Sequence, residues 1–202
     1  MKIKTIICVL IIPFISTYAN AQEKSTSISI GISPWGYSHS FIKGNNSEKY
    51  VYDFKSVMNA NICLEKQFKG ITTLAELSYT QGKFKEYDLN GTTTLFDPAQ
   101  QEDLIDATFT IYAGLTINPN KRIQFPIYLG LSGGYLKGGA IHNFMGGGAA
   151  KARIKFYITN NIGIYAGVTG HYMLGSRKND HGAKYDIHDI LFTPDAGIII
   201  SL

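Results

Sequence analysis

Three groups of residues in this sequence have the types and the spacing that chemistry requires. The first is a set of charged side chains that alternate with apolar ones, most densely in the run 150–158. The second brings histidine close to serine at His39 and Ser40, with a further histidine at His171. The third is the stretch 179–189, which concentrates histidine and aspartate. These groups would suit, respectively, an internal ion-pair network, nucleophilic catalysis and the binding of a divalent metal.

Nucleophilic catalysis needs a serine within reach of a histidine whose ring is oriented by an acid. His39 and Ser40 lie in a predicted loop with no acidic residue beside them, and His171 falls on the inward face of a predicted strand. Neither histidine aims a Ser–His pair at a membrane lipid. We therefore predict no catalytic residues and a protein that is not an enzyme.

Metal or phosphate binding is not expected either. Segment 179–189 could ligate a divalent ion if it folded back on itself, but its spacing matches no closed site, and a solvated polar loop is predicted. The run Gly146-Gly147-Gly148 lacks the Gly-Lys-Ser/Thr that follows in a phosphate-binding loop, so it is interpreted as a flexible lead-in to a strand. No cofactor and no metal are predicted.

The amino-terminal residues 1–21 have the features of a cleaved export signal. A short positive region at Lys2 and Lys4 precedes an apolar run, and Ala19-Asn20-Ala21 is a small-x-small cleavage pattern. Cleavage would leave residues 22–202 as one domain with Cys63 as its single cysteine, and hence without an internal disulfide. Losing two lysines and no acid lowers the formal net charge from +4 to +2, which is too small a bias for nucleic-acid binding.

The elements that must position the remaining polar groups are strands, because apolar residues recur with a period of two. Eight segments show this alternation, at 27–32, 57–65, 75–80, 105–115, 127–132, 150–158, 164–169 and 195–202. Their connections alternate in length. Long polar ones are predicted at 34–49, 82–102, 137–148 and 175–188, and short turns at 67–70, 118–120 and 160–161, the last as an Asn-Asn hairpin turn with positive φ. The pattern predicts an all-β, eight-stranded, antiparallel up-and-down transmembrane β-barrel with both ends on one side.

The two faces of these strands differ in a way that orients the barrel. The less apolar face is mostly small and uncharged, as suits a crowded lumen, whereas a soluble barrel with its apolar face inward would carry many charges outside. All the charges within the strands fall on that inward face, and they form a predicted lumen charge network: Glu65, Glu76, Asp106, Lys151, Arg153, Lys155 and Asp195. An ion or proton path is the alternative for this network. Aromatic residues near the segment ends suit interfacial girdles: Trp35, Tyr79, Tyr135, Tyr172 and Phe156.

Over residues 24–202 the sequence resembles the small outer-membrane β-barrel family that includes the OmpA/OmpX-type barrels. The resemblance implies a bacterial outer-membrane location, and we expect a non-enzymatic role in which extracellular loops are presented for surface interaction or envelope structure. A narrow ion or small-solute channel, a lipid-modifying outer-membrane enzyme and a soluble periplasmic binding barrel remain alternatives. The expected partners are outer-membrane lipids, lipopolysaccharide and an extracellular or host protein, with no nucleic acid, and a monomer is expected.

Overall fold

The computed structural model describes residues 24–44, 49–54, 58–89, 92–95, 103–119, 121–138, 141–178 and 184–202. The predicted export signal 1–21 lies outside these residues and stays a prediction. The strands are β1 (Lys24–Ser33), β2 (Tyr37–Gly44), β3 (Lys49–Phe54), β4 (Met58–Phe68), β5 (Ile71–Leu89), β6 (Thr92–Leu95), β7 (Asp103–Ile117), β8 (Ile123–Gly138), β9 (Ile141–Tyr157), β10 (Ile162–Lys178) and β11 (Lys184–Ser201). None of the described residues form a helix long and apolar enough to cross a membrane.

The strands close into a ring of eight spans. Strands β1 and β2 follow one another along the first span, and β3 and β4 make up the second. Strand β1 pairs with both β4 and β11, so the sheet returns to its starting edge. All pairings are antiparallel, and β6 only extends the upper part of β5. The predicted eight-stranded up-and-down barrel is confirmed.

The register around the ring fixes the width of the barrel. The chain of paired partners that starts at Ile30 passes through all eight spans and reaches His188 on β11, whereas Ile30 itself pairs with Ile198. This stagger of ten residues tilts the strands by about 41° from the barrel axis and gives a backbone radius of about 8 Å. A barrel of that width is filled by its own inward side chains.

Apolar side chains cover the outside of the barrel. In β7 the odd-numbered residues from Ile105 to Ile117 are apolar and face outward, while the even-numbered Asp106, Thr108 and Thr110 are buried inside. The outward row of β7 spans about 30 Å along the barrel axis, close to the thickness of a bilayer core. This outward apolar face confirms the predicted orientation.

Aromatic side chains flank this apolar belt. Trp35, Tyr79 and Tyr172 are exposed at the edge of the belt away from the short turns, which we call its outer side. Phe156 is exposed towards the other end, as predicted. Tyr135 is half-buried and packs against a neighbouring outward ring. The amphipathic rings of tryptophan and tyrosine suit the boundary between hydrocarbon and lipid headgroups.

The predicted long connections are wrong over most of their length. Strand β2 occupies much of 34–49, β5 continues to Leu89, β9 begins at Ile141 and β11 begins at Lys184. The predicted flexible lead-in Gly146-Gly147-Gly148 lies within β9 and is paired on both sides. Above the membrane a polar strand costs little on its outer face, because that face meets water. A polar sequence beyond the apolar belt therefore does not end the pairing of the strands.

The short turns lie where they are predicted. Lys69 and Gly70 take positive φ values of 45° and 89° between β4 and β5, and Asn118 has a φ of 57° after β7. The predicted positive φ at Asn160-Asn161 is wrong. There the hydroxyl of Thr159 accepts hydrogen bonds from the backbone N–H groups of Asn161 (3.3 Å) and Ile162 (3.0 Å), and this closes the connection instead.

Candidate functional site: the barrel lumen

Four charged side chains meet in the middle of the lumen, and we call them the central network: Glu76 on β5, Lys151 and Arg153 on β9, and Asp195 on β11. The Lys151 ammonium lies 2.5 Å from Glu76 Oε2 and 3.2 Å from Asp195 Oδ2. Arg153 Nη2 lies 3.3 Å from Asp195 Oδ2 and 3.6 Å from Glu76 Oε2. All four side chains are buried. Each cation thus contacts both carboxylates across the barrel.

A second ion pair lies closer to the end of the barrel that carries the short turns. The ammonium of Lys155 on β9 contacts Glu65 Oε1 on β4, and the Tyr128 hydroxyl donates to Glu65 Oε2 at 2.9 Å. Lys155 is completely buried. The three cations of β9 are therefore matched by three carboxylates from other walls of the barrel, and this part of the lumen carries no net charge.

Arg153 is the most extensively contacted member of the central network. Its Nη1 donates to Ser29 Oγ at 3.2 Å, and its Nη2 donates to Cys63 Sγ at 3.1 Å. Its guanidinium lies 4.1 Å from the centre of the Tyr165 ring, in cation–π contact. The Cys63 thiol donates in turn to Glu76 Oε2 at 3.2 Å. The free cysteine is thus an interior group that is packed into the network.

Asp106 does not join the other six residues of the predicted network. It lies nearer the outer end, where its carboxylate accepts a hydrogen bond of 2.8 Å from Thr108. The structure adds a buried carboxylate in the outer half of the lumen, Asp189, which accepts hydrogen bonds from Ser38 (3.0 Å) and Ser40 (2.5 Å). Sequence reasoning missed Asp189 because it placed residues 175–188 and their neighbours in a loop.

The histidines occupy two different environments. His39 and Ser40 lie on β2, where they point to opposite faces: the hydroxyl of Tyr37 lies 3.2 Å from His39 Nδ1, while Ser40 is buried in the lumen. His171 contacts a serine after all, since its Nδ1 lies 3.2 Å from Ser132 Oγ. The sequence missed this contact, which joins β8 and β10. In the part of the chain that the structure describes, no carboxylate hydrogen-bonds to His171.

The segment considered for metal binding is only partly within the described residues. Residues 179–183 lie outside them, and the predicted loop is wrong for 184–189, which form the start of β11. There His188 faces outward and contacts the Tyr172 hydroxyl at 2.8 Å, whereas Asp189 points inward. Across the described ranges, no three or more His, Cys, Asp or Glu side chains are grouped so that they could hold a metal ion.

Comparison with known proteins identifies the fold. No protein-family model matches the chain, and no curated protein matches it. The crystal structure of the outer membrane protein OprG from Pseudomonas aeruginosa matches with a TM-score of 0.58 and 9% identity, over 91% of this chain and 98% of OprG. Ail, the attachment invasion locus protein of Yersinia pestis, matches with a TM-score of 0.47 and 19% identity, over 89% of this chain and 100% of Ail. The chain therefore shares the fold of OprG, and its apolar exterior agrees with the fold of a small outer-membrane β-barrel.

Proposed function

We propose that this protein is a non-enzymatic surface barrel whose closed lumen anchors an exposed outer end for contacts with the cell envelope or with an external partner. One observation carries the proposal, namely the buried central network that crosses the lumen. The fully buried rings of Tyr112 and Tyr128 lie beside the network: the Tyr112 hydroxyl donates to Glu76 Oε1 at 3.5 Å, and Tyr128 is the cross-strand partner of Lys151. In a barrel of about 8 Å radius, the network and these two rings leave little of the lumen's cross-section for other side chains to fill.

Opening this lumen for solutes would be expensive. Removing one partner from a buried ion pair costs on the order of 3–5 kcal/mol, because the other charge is left without compensation. A solute path would have to separate Lys151 and Arg153 from the two carboxylates that both of them contact. This favours a structural role for the network over general diffusion.

The outer end of the barrel supports the surface role. Strand β5 continues for ten residues beyond the exposed ring of Tyr79, as far as Leu89. At the strand tilt of this barrel, that extension raises the wall about 25 Å above the aromatic girdle. A paired wall of that height places the described outer ends of these strands well clear of the lipid headgroups. An extracellular or host protein is the partner class we propose for them.

Conductance in planar bilayers tests the closed lumen. We expect the refolded protein to give no stable openings, and the variant Glu76→Ala/Lys151→Ala/Arg153→Ala to give openings once its folding has been checked by heat-modifiable migration in gels. Stable openings of the wild-type barrel, altered in ion selectivity by Arg153→Glu, would instead establish a channel. Small openings that Arg153→Glu leaves unchanged would place a conducting path outside the network and would also contradict the proposal.

The contact between Ser132 and His171 is the one observation that favours an enzyme. Both side chains are buried in the lumen, and Ser132 Oγ also lies 2.8 Å from Thr110 Oγ1, so the serine is not directed at the lipid. Incubating lipid A with the refolded barrel, and then measuring the mass of the lipid, tests this alternative. We expect no loss of an acyl chain. A loss that Ser132→Ala abolishes would overturn the non-enzymatic proposal.

A further inference from the structure

Histidines and tyrosines meet repeatedly on the outside of the barrel, at the outer edge of the apolar belt. Each contact joins a tyrosine hydroxyl to the Nδ1 atom of an outward histidine: Tyr37 and His39 at 3.2 Å, Tyr172 and His188 at 2.8 Å, and Tyr135 and His142 at 3.5 Å. The histidine of each pair lies above its tyrosine, on the side away from the membrane centre. Polar groups that can bind phosphate thus lie where lipid headgroups begin.

One of these pairs has a lysine beside it. Lys137 on β8 is the cross-strand partner of His142 on β9, and both side chains are exposed. Tyr135 lies two residues below Lys137, and its ring packs against Phe144 with a centroid distance of 5.1 Å. We call Tyr135, Lys137 and His142 the rim cluster. All three side chains face the outer surface rather than the lumen.

Directly below the rim cluster, outward glycines recur on the lipid-facing surface of β8, β9 and β10, between larger side chains such as Tyr172 and Leu174. Four outward glycines lie there, Gly133, Gly146, Gly148 and Gly170, and we call this surface the glycine face. A Cβ atom at any of the four would approach no other atom closer than 3.8 Å. At the neighbouring inward Gly147, by contrast, a Cβ would lie 1.9 Å from the carbonyl oxygen of Tyr172.

Packing within the barrel therefore does not require glycine on the glycine face. Glycine in a strand costs roughly 0.5–1 kcal/mol relative to alanine, and it often marks a place where another molecule approaches the backbone closely. The register is regular through all four positions, so no β-bulge accounts for them. The glycine face continues the rim cluster into the membrane, and this continuity connects a cationic headgroup site with an apolar surface.

We propose that the rim cluster and the glycine face together bind one phosphorylated, multiply acylated lipid of the outer leaflet. The Lys137 ammonium, the His142 ring and the Tyr135 hydroxyl would supply hydrogen bonds to a lipid phosphate, and an acyl chain would lie against the glycines. Charge-assisted hydrogen bonds to phosphate are among the strongest that side chains make. The rim cluster lies on the outer wall of the barrel and faces the surrounding bilayer. Its ligand must therefore be a molecule of the membrane itself. The proposal does not depend on a closed lumen or on an external partner.

Native mass spectrometry of the detergent-solubilised full chain tests this site, with bisphosphorylated lipid A as the probe. We expect one bound lipid A, and a loss of affinity of roughly tenfold or more in Lys137→Ala/His142→Ala. Gly148→Leu should weaken binding to a similar degree by filling the glycine face, with heat-modifiable migration confirming that it folds. Two matched controls should bind as the wild type does: Lys83→Ala, an exposed lysine on β5, and Ala60→Leu, an exposed position on β4.

Each other outcome contradicts the proposal in a distinct way. Equal binding of lipid A from which the phosphates have been removed would show that the rim cluster does not recognise phosphate. Equal binding by Lys137→Ala/His142→Ala, or equal weakening by Lys83→Ala, would show that lipid association is not localised at this site. A dimer that Gly148→Leu dissociates would show that a second copy of the chain covers the glycine face instead of a lipid. Binding of lipid A could fail while the lumen remains closed, so the result is independent of the proposed function.

Discussion

Replacing Arg153 with methionine is the most informative perturbation of the lumen. The substitution keeps an unbranched side chain that replaces the aliphatic part of arginine, but it removes the guanidinium, which contacts Glu76, Asp195, Ser29 and Cys63. Lys151 then remains as the one cation in contact with two buried carboxylates. The central network changes from neutral to a net charge of minus one, in a place from which solvent is excluded.

The expected cost follows from that uncompensated charge. Breaking a buried pair by removing one partner typically destabilises a protein by about 3–5 kcal/mol. We therefore expect Arg153→Met to lower the free energy of unfolding by about that amount. The charge-balanced variant Arg153→Met/Asp195→Asn leaves the pair of Lys151 and Glu76, and it should recover at least half of the loss.

Urea titration of the barrel refolded into phospholipid vesicles measures these differences. Trp35 is the only tryptophan in the sequence and is exposed at the outer girdle, so its emission reports withdrawal from the membrane. Migration of unheated samples in gels provides a second measure of folding. A single variant within about 0.5 kcal/mol of the wild type would refute the reasoning, since surface substitutions already vary by that much. So would a double variant no more stable than Arg153→Met.

Three further predictions use the same unfolding assay or a chemical one. Gly147→Ala should lower the free energy of unfolding by about 1–3 kcal/mol or more, because its Cβ would collide with the backbone of Tyr172. Gly148→Ala should be neutral or should stabilise the barrel by up to about 1 kcal/mol. Equal effects of the two substitutions would contradict the assignment of inward and outward faces. Cys63 should resist a water-soluble maleimide in the folded barrel and react in urea, and rapid labelling of the folded protein would mean that water reaches the network. Glu65→Gln should destabilise the barrel by about 3–5 kcal/mol by leaving Lys155 buried without its carboxylate, and an unchanged urea midpoint would argue against that ion pair.

The sequence predicts the membrane-spanning part of the barrel well because one physical rule governs it. Within the bilayer, outward residues must be apolar and the inward ones must fill a narrow space, so a period of two is imposed on every span. The outward residues of β7 follow this rule without exception from Ile105 to Ile117. The inward positions of Glu76 and Arg153 could be predicted for the same reason.

The parts that could not be predicted depend on the closure of the whole sheet. Strand direction predicts that Glu76, Arg153 and Asp195 lie at a similar depth, and they meet. Asp106 has the same inward parity as Glu76, but parity alone does not give its height in the barrel and so does not predict its separation from the central network. The same is true of the contact between Ser132 and His171, which is set by the ten-residue stagger of the ring. The outer ends of the strands were missed because polar residues above the membrane meet water on their outer face, where the apolar alternation disappears.

The central claim is that alternate residues of these strands face lipid and a closed lumen. Nitroxide labels placed singly at 107–112 on β7, in a Cys63→Ser background in phospholipid vesicles, test it most directly. We predict that collisions with oxygen, which concentrates in lipid, are frequent at 107, 109 and 111, and that labels at 108, 110 and 112 are immobile and protected from a water-soluble nickel chelate. Uniform oxygen accessibility along the segment, or free access of the nickel chelate to the even-numbered positions, would contradict the closed outer-membrane barrel.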